Sequence, residues 1–304
     1  MIRFLSHQQI DRTKWDACVL QSGNGQIYGC SWYLDVVCPA WDGLIQDDYA
    51  AVMPLTRGRK FLMEYVYPPF FCQQLGVFTT DDAGSAPTLF LPAIPSAIRF
   101  VEMNLNAANQ FVPANFRVKS NLNYVLDVSR SYEEIRKNYS ENHERNIRKA
   151  AKNGSLKIRE VTSPDAIINL FRANRGRFVT NLKEHHYEVF SNLVRIVQQH
   201  ASALQVEVSD EQDMLVAGAV FFEWNGRSVF IFSGISSDGK RLSAMHFLID
   251  WYIQRVAGRF NVLDFEGSND PELARFYRGF GSTECVYLQV KYNSLPPPWK
   301  WFKN

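Results

Sequence analysis

Apolar residues between Met214 and Tyr292 fall into two alternating periods. Leu215, Ala217, Ala219 and Phe221 share one face of an extended segment, and Val216, Val220 and Phe222 share the other. A strand that is apolar on both faces is a central strand of a sheet. Asn225-Gly226 predicts a two-residue hairpin returning into Ser228-Val229-Phe230-Ile231-Phe232. Ala244, Phe247, Leu248, Trp251 and Tyr252 then recur at helical spacing. A third strand (Val262 to Phe265), the segment Phe265-Glu266-Gly267-Ser268, a short helix and a final strand complete the stretch.

Upstream, Ile2 to Leu5 predicts a strand, and Asp11 caps a helix carrying Trp15, Cys18, Val19 and Leu20 that ends at Gly23-Asn24-Gly25. Gly43 to Ile45 and Tyr49 to Met53 flank Gln46-Asp47-Asp48 as a hairpin, followed by a basic turn at Arg57-Gly58-Arg59-Lys60. Met63 to Val66 and Gln73 to Phe78 are extended around Tyr67-Pro68-Pro69, where paired prolines exclude a regular helix. Ile94, Ile98, Val101 and Leu105 predict a helix over Pro87 to Asn106. Val125 to Val128 is a strand, and Ser129-Arg130-Ser131 marks a boundary between domains 1–128 and 129–304.

After that boundary, Tyr132 to Asn153 reads as one highly charged helix stopped by Gly154. Ile158 to Val161 is a strand. Pro164 opens a helix with Ile167, Ile168, Phe171 and Phe178, and Glu184 to His200 forms another.

At 304 residues the chain is long for one domain and natural for two. Hydrophobic residues at 46% and aromatics at 14% supply sizeable cores and exclude disorder. A formal charge of +2 leaves no general footprint for DNA or RNA, so any contact with tRNA has to be local. Five cysteines without a Cys-x-x-Cys pair point to reduced, structural thiols. Met1 to Gln9 lacks the features of a secretory signal and no apolar run approaches membrane-spanning length, so the expected compartment is the cytoplasm.

Candidate chemistry concentrates in a few places. Ser233, Gly234, Ile235, Gly239, Lys240, Arg241, Ser243 and Ala244 gather small, polar and basic residues at a helix start. Unpaired N–H groups and the helix dipole favour an anion there. The bland alternative is an exposed polar loop with Ser243 as N-cap. Arg145, Arg148, Lys149 and Lys152 form one basic stripe, either a phosphate contact or a solvated face balanced by Glu141 and Glu144. Trp32 lies in an aromatic cluster that serves either the core or substrate stacking, and Tyr67 beside the paired prolines is a further substrate-binding candidate. Gln73 either satisfies backbone or touches substrate. His185-His186 lacks metal spacing, and His143 and His246 have no visible partner. The tail, Asn293 to Lys303, is a proline spacer with an aromatic, basic end, read as a packed tail crossing to the other domain or a peripheral membrane anchor.

Strand, strand, loop and helix, then strand, helix and strand, is similar to the second half of the GNAT acyltransferase fold. Leu263-Asp264-Phe265-Glu266-Gly267-Ser268 followed by Leu273-Ala274-Arg275-Phe276-Tyr277-Arg278-Gly279-Phe280-Gly281 resembles the Fem-like branch, in which two such α/β domains, each a mixed sheet flanked by helices, occur in tandem. Pro69 to Val77 and the basic helix resemble the corresponding Fem-like segments. The resemblance implies an acyltransferase or aminoacyltransferase that moves its group from acyl-CoA or aminoacyl-tRNA, with no tightly bound cofactor, onto an amine such as that of a peptidoglycan precursor.

Such chemistry needs a carboxylate to take the amine proton and a donor for the oxyanion, and the candidates are Glu266 and Tyr277. The alternative for Glu266 is a capping or ion-pair role. The chain departs from the family at two places. Ser236 to Arg241 keeps only the central glycine of the acyl-CoA loop, and Tyr277 stands where Fem-like transferases carry a lysine after phenylalanine. A non-catalytic binding protein that kept the tandem fold is the competing class.

Overall fold

The computed structural model describes residues 1–60, 63–152, 156–267 and 269–296. The helix stop at Gly154, Ser268 and the tail from Pro297 onward lie outside these residues. The chain forms two compact units, Met1–Leu122 with the residues from Val286 onward, and Asn123–Cys285. Residues 286–296 therefore belong with the first unit, whereas a division at residue 129 assigns them to the second. The reason is a strand pairing, Gln289 to Asn293 against Asn104 to Phe100.

The first unit contains β1 (Ile2–Leu5), α1 (Arg12–Gln21), α2 (Ser31–Val37), β2 (Asp42–Gln46), β3 (Ala51–Leu55), β4 (Arg57–Lys60), β5 (Met63–Val66), β6 (Phe78–Thr79), α3 (Pro87–Phe90) and β7 (Phe100–Asn104). Strand β8 (Arg117–Asp127) carries the chain across the boundary. Asp11 caps α1 as its sequence predicts, accepting the Lys14 N–H at 3.1 Å. The β2–β3 hairpin pairs Asp42 with Leu55 through Gln46 with Ala51, within a sheet ordered β1-β2-β3-β6. Trp15 is fully buried against Trp41, ring centroids 4.8 Å apart, and its indole N–H donates to the Gly29 carbonyl at 2.8 Å.

Two expectations fail in this unit. Residues 57–60 are not a turn but β4, paired antiparallel with β5, and Arg57 reaches the buried carboxylate of Asp42 at 2.5 Å. The helix over Pro87 to Asn106 lasts one turn, because Pro92 and Pro95 lack the N–H donors that would continue it. Phe100, Val101 and Met103 are buried in β7 instead.

The second unit continues with α4 (Tyr132–Arg136), α5 (Glu141–Lys152), β9 (Lys157–Val161), α6 (Asp165–Ala173), α7 (Glu184–His200), β10 (Ser202–Ser209), β11 (Leu215–Trp224), β12 (Arg227–Ile235), α8 (Ser237–Arg241), α9 (Ala244–Val256), β13 (Val262–Asp264) and α10 (Pro271–Arg278). Strand β14 (Thr283–Asn293) returns to the first unit. The strands of the second unit are ordered β8-β13-β12-β11-β10-β9, which makes β11 central, as its two apolar faces predict. Asn225 (φ 47°) and Gly226 (φ 74°) make the predicted hairpin turn.

The charged helix expected over 132–153 is two helices. Ser131 and Glu134 close a capping box on α4, and Ser140 accepts the His143 N–H at 3.3 Å to begin α5. Phe178 is not on α6 but in a separate 3-10 turn, Arg175–Phe178. Strand β10 has no counterpart in the predicted elements: Gln205 and Glu207 are buried beside Val206 and Val208, so polarity does not mark a solvent face.

Two glycines set the position of α6. A Cβ at Gly218 would lie 2.7 Å from Ile167, and one at Gly234 2.9 Å from both the Ile167 carbonyl and the Phe171 nitrogen. Bare backbone on β11 and β12 thus lets the helix backbone settle against the sheet. On the opposite face, Phe221 stacks on Tyr252 of α9 at 3.5 Å. The pairing of β11 with β12 slips between Val220 (opposite Phe232) and Phe221 (opposite Phe230), leaving Ile231 as a bulge. Because strand residues alternate faces, the bulge moves Phe230 onto the face of Ser233 and Ile235, while Phe232 packs against Phe171 and Phe190.

His143 and His246, unpartnered by sequence spacing, face each other with centroids 4.7 Å apart. His143 Nε2 lies 2.9 Å from the Phe276 carbonyl, which can only accept, so that nitrogen carries the proton and Nδ1 accepts from Ser140 at 3.1 Å. Gly279 ends α10 against this ring. A Cβ there would lie 1.9 Å from His143 Cε1, so Gly279→Ala is expected to cost about 1–3 kcal/mol of stability, measured by denaturant unfolding. Burial, then the neighbouring His143, depresses His246 to about 4. The unfolded chain binds that proton near pH 6.5 and the fold does not. Stability should therefore fall as pH drops from about 6.5 and level off below about 4, and His246→Gln should flatten that decline in pH-dependent unfolding curves.

Candidate active site

Parallel pairing between β12 and β13 runs from Arg227 with Val262 to Val229 with Asp264 and stops. The cause is local. Asp264 is buried, and its carboxylate accepts from Asn123 Nδ2 at 3.0 Å and from the Glu266 backbone N–H at 2.9 Å, with Arg227 at 3.5 Å. Glu266 takes φ 49°, a left-handed conformation that turns the chain, and the Phe265 N–H goes to the Tyr124 carbonyl at 3.0 Å rather than to β12. Strand β12 continues from Phe230 to Ile235 without that neighbour, and a cleft of about 620 Å³ opens beside it.

Phe230 and Tyr277, only 6% and 8% exposed, form the buried end of the cleft. Phe171, Met245, Leu273 and Phe276 line its walls, Ser233, Ile235 and Lys240 its β12 and α8 side, and Arg175, Arg177, Phe178 and Glu272 its exposed rim. Tyr277 stacks on Phe265 at 4.9 Å and 14°. Its hydroxyl has no hydrogen-bond partner among the described residues. Burial first, then the charge of Glu266, raises the phenol far above its ordinary value, so it stays protonated. Lys240 and Arg177 carry no ion pair among the described residues, while Arg175 pairs with Asp270 at 3.2 Å.

The predicted site residues divide accordingly. Ser233, Ile235, Lys240 and Tyr277 meet in the cleft. Glu266 lies next to Tyr277 electrostatically but is not a lining residue. Gly234 packs beneath α6, and Gly239 beneath Val216, whose carbonyl would lie 2.1 Å from an added Cβ. The loop is mostly helix: Ser236 caps α8 by accepting the Gly239 N–H at 2.9 Å. Ser243 starts α9 in a left-handed conformation without a capping bond, its hydroxyl donating to Asn146 at 3.1 Å, and Ala244 is buried. Arg241 pairs with Asp238 at 3.1 Å.

Of the basic stripe, Lys149 donates to the Arg241 carbonyl at 2.9 Å, bringing α5 up to α8. Arg145 donates to Asn142 at 2.7 Å and Arg148 to the Glu144 carbonyl at 3.2 Å. Trp32, Tyr67 and Gln73 fall in the first unit. Tyr67 donates to Cys38 Sγ at 3.9 Å, and Gln73 accepts from Gln74 Nε2 at 2.8 Å. Arg175, Arg177, Phe178, Met245 and Glu272 line the cleft without being among the site residues expected from the sequence. The signal available was Asn174-Arg175-Gly176-Arg177-Phe178, a glycine between two arginines beside an aromatic after a helix end. Among the described residues no cluster of three or more His, Cys, Asp or Glu is gathered to hold a metal, and no helix is long and apolar enough to cross a membrane.

Comparison with protein families matches residues 137–272 to the acetyltransferase (GNAT) domain. Comparison with curated proteins finds no match. Among solved structures, a crystal structure of FemX superposes with a TM-score of 0.70 at 11% identity, over 97% of this chain and 99% of that one. A tandem GNAT protein from the clavulanic acid biosynthesis pathway gives 0.57 at 10%, over 97% and 99%. L-PGS from Bacillus licheniformis gives 0.53 at 11%, over 96% and 95%. The chain has the fold of the Fem-like tandem-GNAT proteins, and its residues 137–272 match the acetyltransferase (GNAT) domain.

Proposed function

We propose that the second unit transfers an acyl group from acyl-CoA to an amine, with the carbonyl held at the buried end of the cleft. The observation that carries this reading is the Tyr277 hydroxyl, protonated and unpartnered among the described residues, at the floor of a cleft that opens where β12 and β13 part. The amine attacks the thioester carbonyl, and Tyr277 donates to the oxygen as negative charge develops. That attack forms the C–N bond, and collapse re-forms the carbonyl and breaks the C–S bond. Glu266 takes the proton lost by the amine, and the released thiolate is protonated from solvent. Lys240, on the cleft wall without an ion pair among the described residues, attracts the anionic carrier.

A second reading, aminoacyl-tRNA as donor, is favoured by one contact. Lys149 on the α8 backbone makes the exposed stripe of Arg145, Arg148 and Lys149 continuous with Arg241 and Lys240, a track suited to a polyanion. The acceptor in either case is an amine, a small molecule or one resembling a peptidoglycan precursor.

Glu266→Gln keeps the shape but cannot take a proton, so turnover should fall about 100-fold or more with donor affinity retained, by steady-state kinetics beside calorimetric titration. Wild-type turnover would remove the base role. Replacing Lys240 and Arg241 together by Ala should weaken donor binding and leave the thermal midpoint nearly unchanged, because both are exposed and Arg241 loses only a surface pair. For the donor itself, tRNA affinity should fall by orders of magnitude between low and moderate salt if the stripe binds phosphates. A flat response favours CoA.

A further inference from the structure

Polarity and exposure in the cleft change together along its length. At the buried end Phe230 and Met245 are 6% and 8% exposed beside Tyr277, and Leu273 and Phe276 continue the apolar wall outward along α10. The cations and Glu272 stand at the rim, where Phe178 is 84% exposed. From Tyr277 to Glu272 the helix advances about 7.5 Å, so apolar surface follows the reacting carbonyl for well over the length of an acetyl group. An acetyl group would leave most of this wall against water.

From these observations we infer that the cleft selects a bulky apolar acyl group, its carbonyl on Tyr277, its chain against Met245, Leu273 and Phe276, and Phe178 covering its far end. The assignment rests on the proposed transfer from a CoA carrier. The acyl chain, rather than the acceptor, occupies this wall because Glu266, the group that must meet the amine, is not among the lining residues. Phe178 follows Asn174-Arg175-Gly176-Arg177 on a single 3-10 turn, held at Gly176 by contact with Phe171 on α6. It is therefore an exposed aromatic at the rim with no role in packing the core.

The test is calorimetric titration of the full chain with CoA, acetyl-CoA, hexanoyl-CoA and benzoyl-CoA. Hexanoyl-CoA should bind at least about tenfold more tightly than acetyl-CoA, since each added methylene leaves water. Phe178→Ala, at a site too exposed to threaten folding, should narrow that ratio several-fold. Leu273→Trp, which fills the wall, should narrow it further, with its thermal midpoint checked against wild type. Equal affinity for acetyl- and hexanoyl-CoA overturns the assignment and leaves the transfer reading standing. Failure of every thioester and of CoA to bind overturns the CoA donor and this assignment with it.

Discussion

One buried carboxylate decides where the cleft can exist. Asp264 ends β13 and receives hydrogen bonds from Asn123 and from the Glu266 backbone, with Arg227 beside it. A carboxylate withdrawn from water needs such partners, and meeting them here turns the chain away from β12. Phe265 stays on the β8 side through Tyr124, Glu266 adopts a left-handed backbone, and β12 loses its neighbour beyond Val229. The opening is thus written into the satisfaction of one buried polar group rather than into any residue that lines it.

What surrounds the opening follows from backbone economy. Glycines at 218 and 234 let α6 approach β11 and β12, which brings the 3-10 turn that follows α6 to the rim. The Ile231 bulge turns Phe230 toward Tyr277, their ring centroids 6.4 Å apart and nearly perpendicular. On the far side of α10, Gly279 makes room for His143, whose ring holds the Phe276 carbonyl. The wall residue Phe276 is therefore fixed by a histidine that has no part in the cleft.

Legibility in the sequence tracks how local each cause is. The Asn225-Gly226 hairpin, the Asp11 cap, helix α7 and the two-faced β11 follow from short-range chemistry, and all were readable. So was the run from Leu263 to Gly281 on which the Fem-like resemblance rests. The bulge at Ile231 has no sequence mark, because a slipped register depends on the partner strand. Strand β10 hides behind buried Gln205 and Glu207, and the rim arginines reach the cleft only because distant glycines admit α6. Gly234 and Gly239, expected among the small residues of an anion-binding helix start, are close-packing positions, a distinction that spacing alone does not contain.

The tyrosine at 277 is consistent with its surroundings. A lysine beside Phe276, as the Fem-like pattern has it, would place an ammonium among Phe265, Phe230 and Tyr124, where its removal from water costs several kcal/mol that only the neighbouring Glu266 would offset. A phenol enters the same aromatic stack at little cost and still presents one O–H. In the proposed transfer that O–H donates a charge-assisted hydrogen bond to the oxyanion but, unlike an ammonium, brings no opposite charge. In the proposed transfer the aromatic surroundings strengthen that one hydrogen bond but do not replace the missing positive charge. The neutral tyrosine in place of lysine and the apolar walls of the cleft are matched to each other, since a neutral donor enters an apolar site at less cost than a charged one.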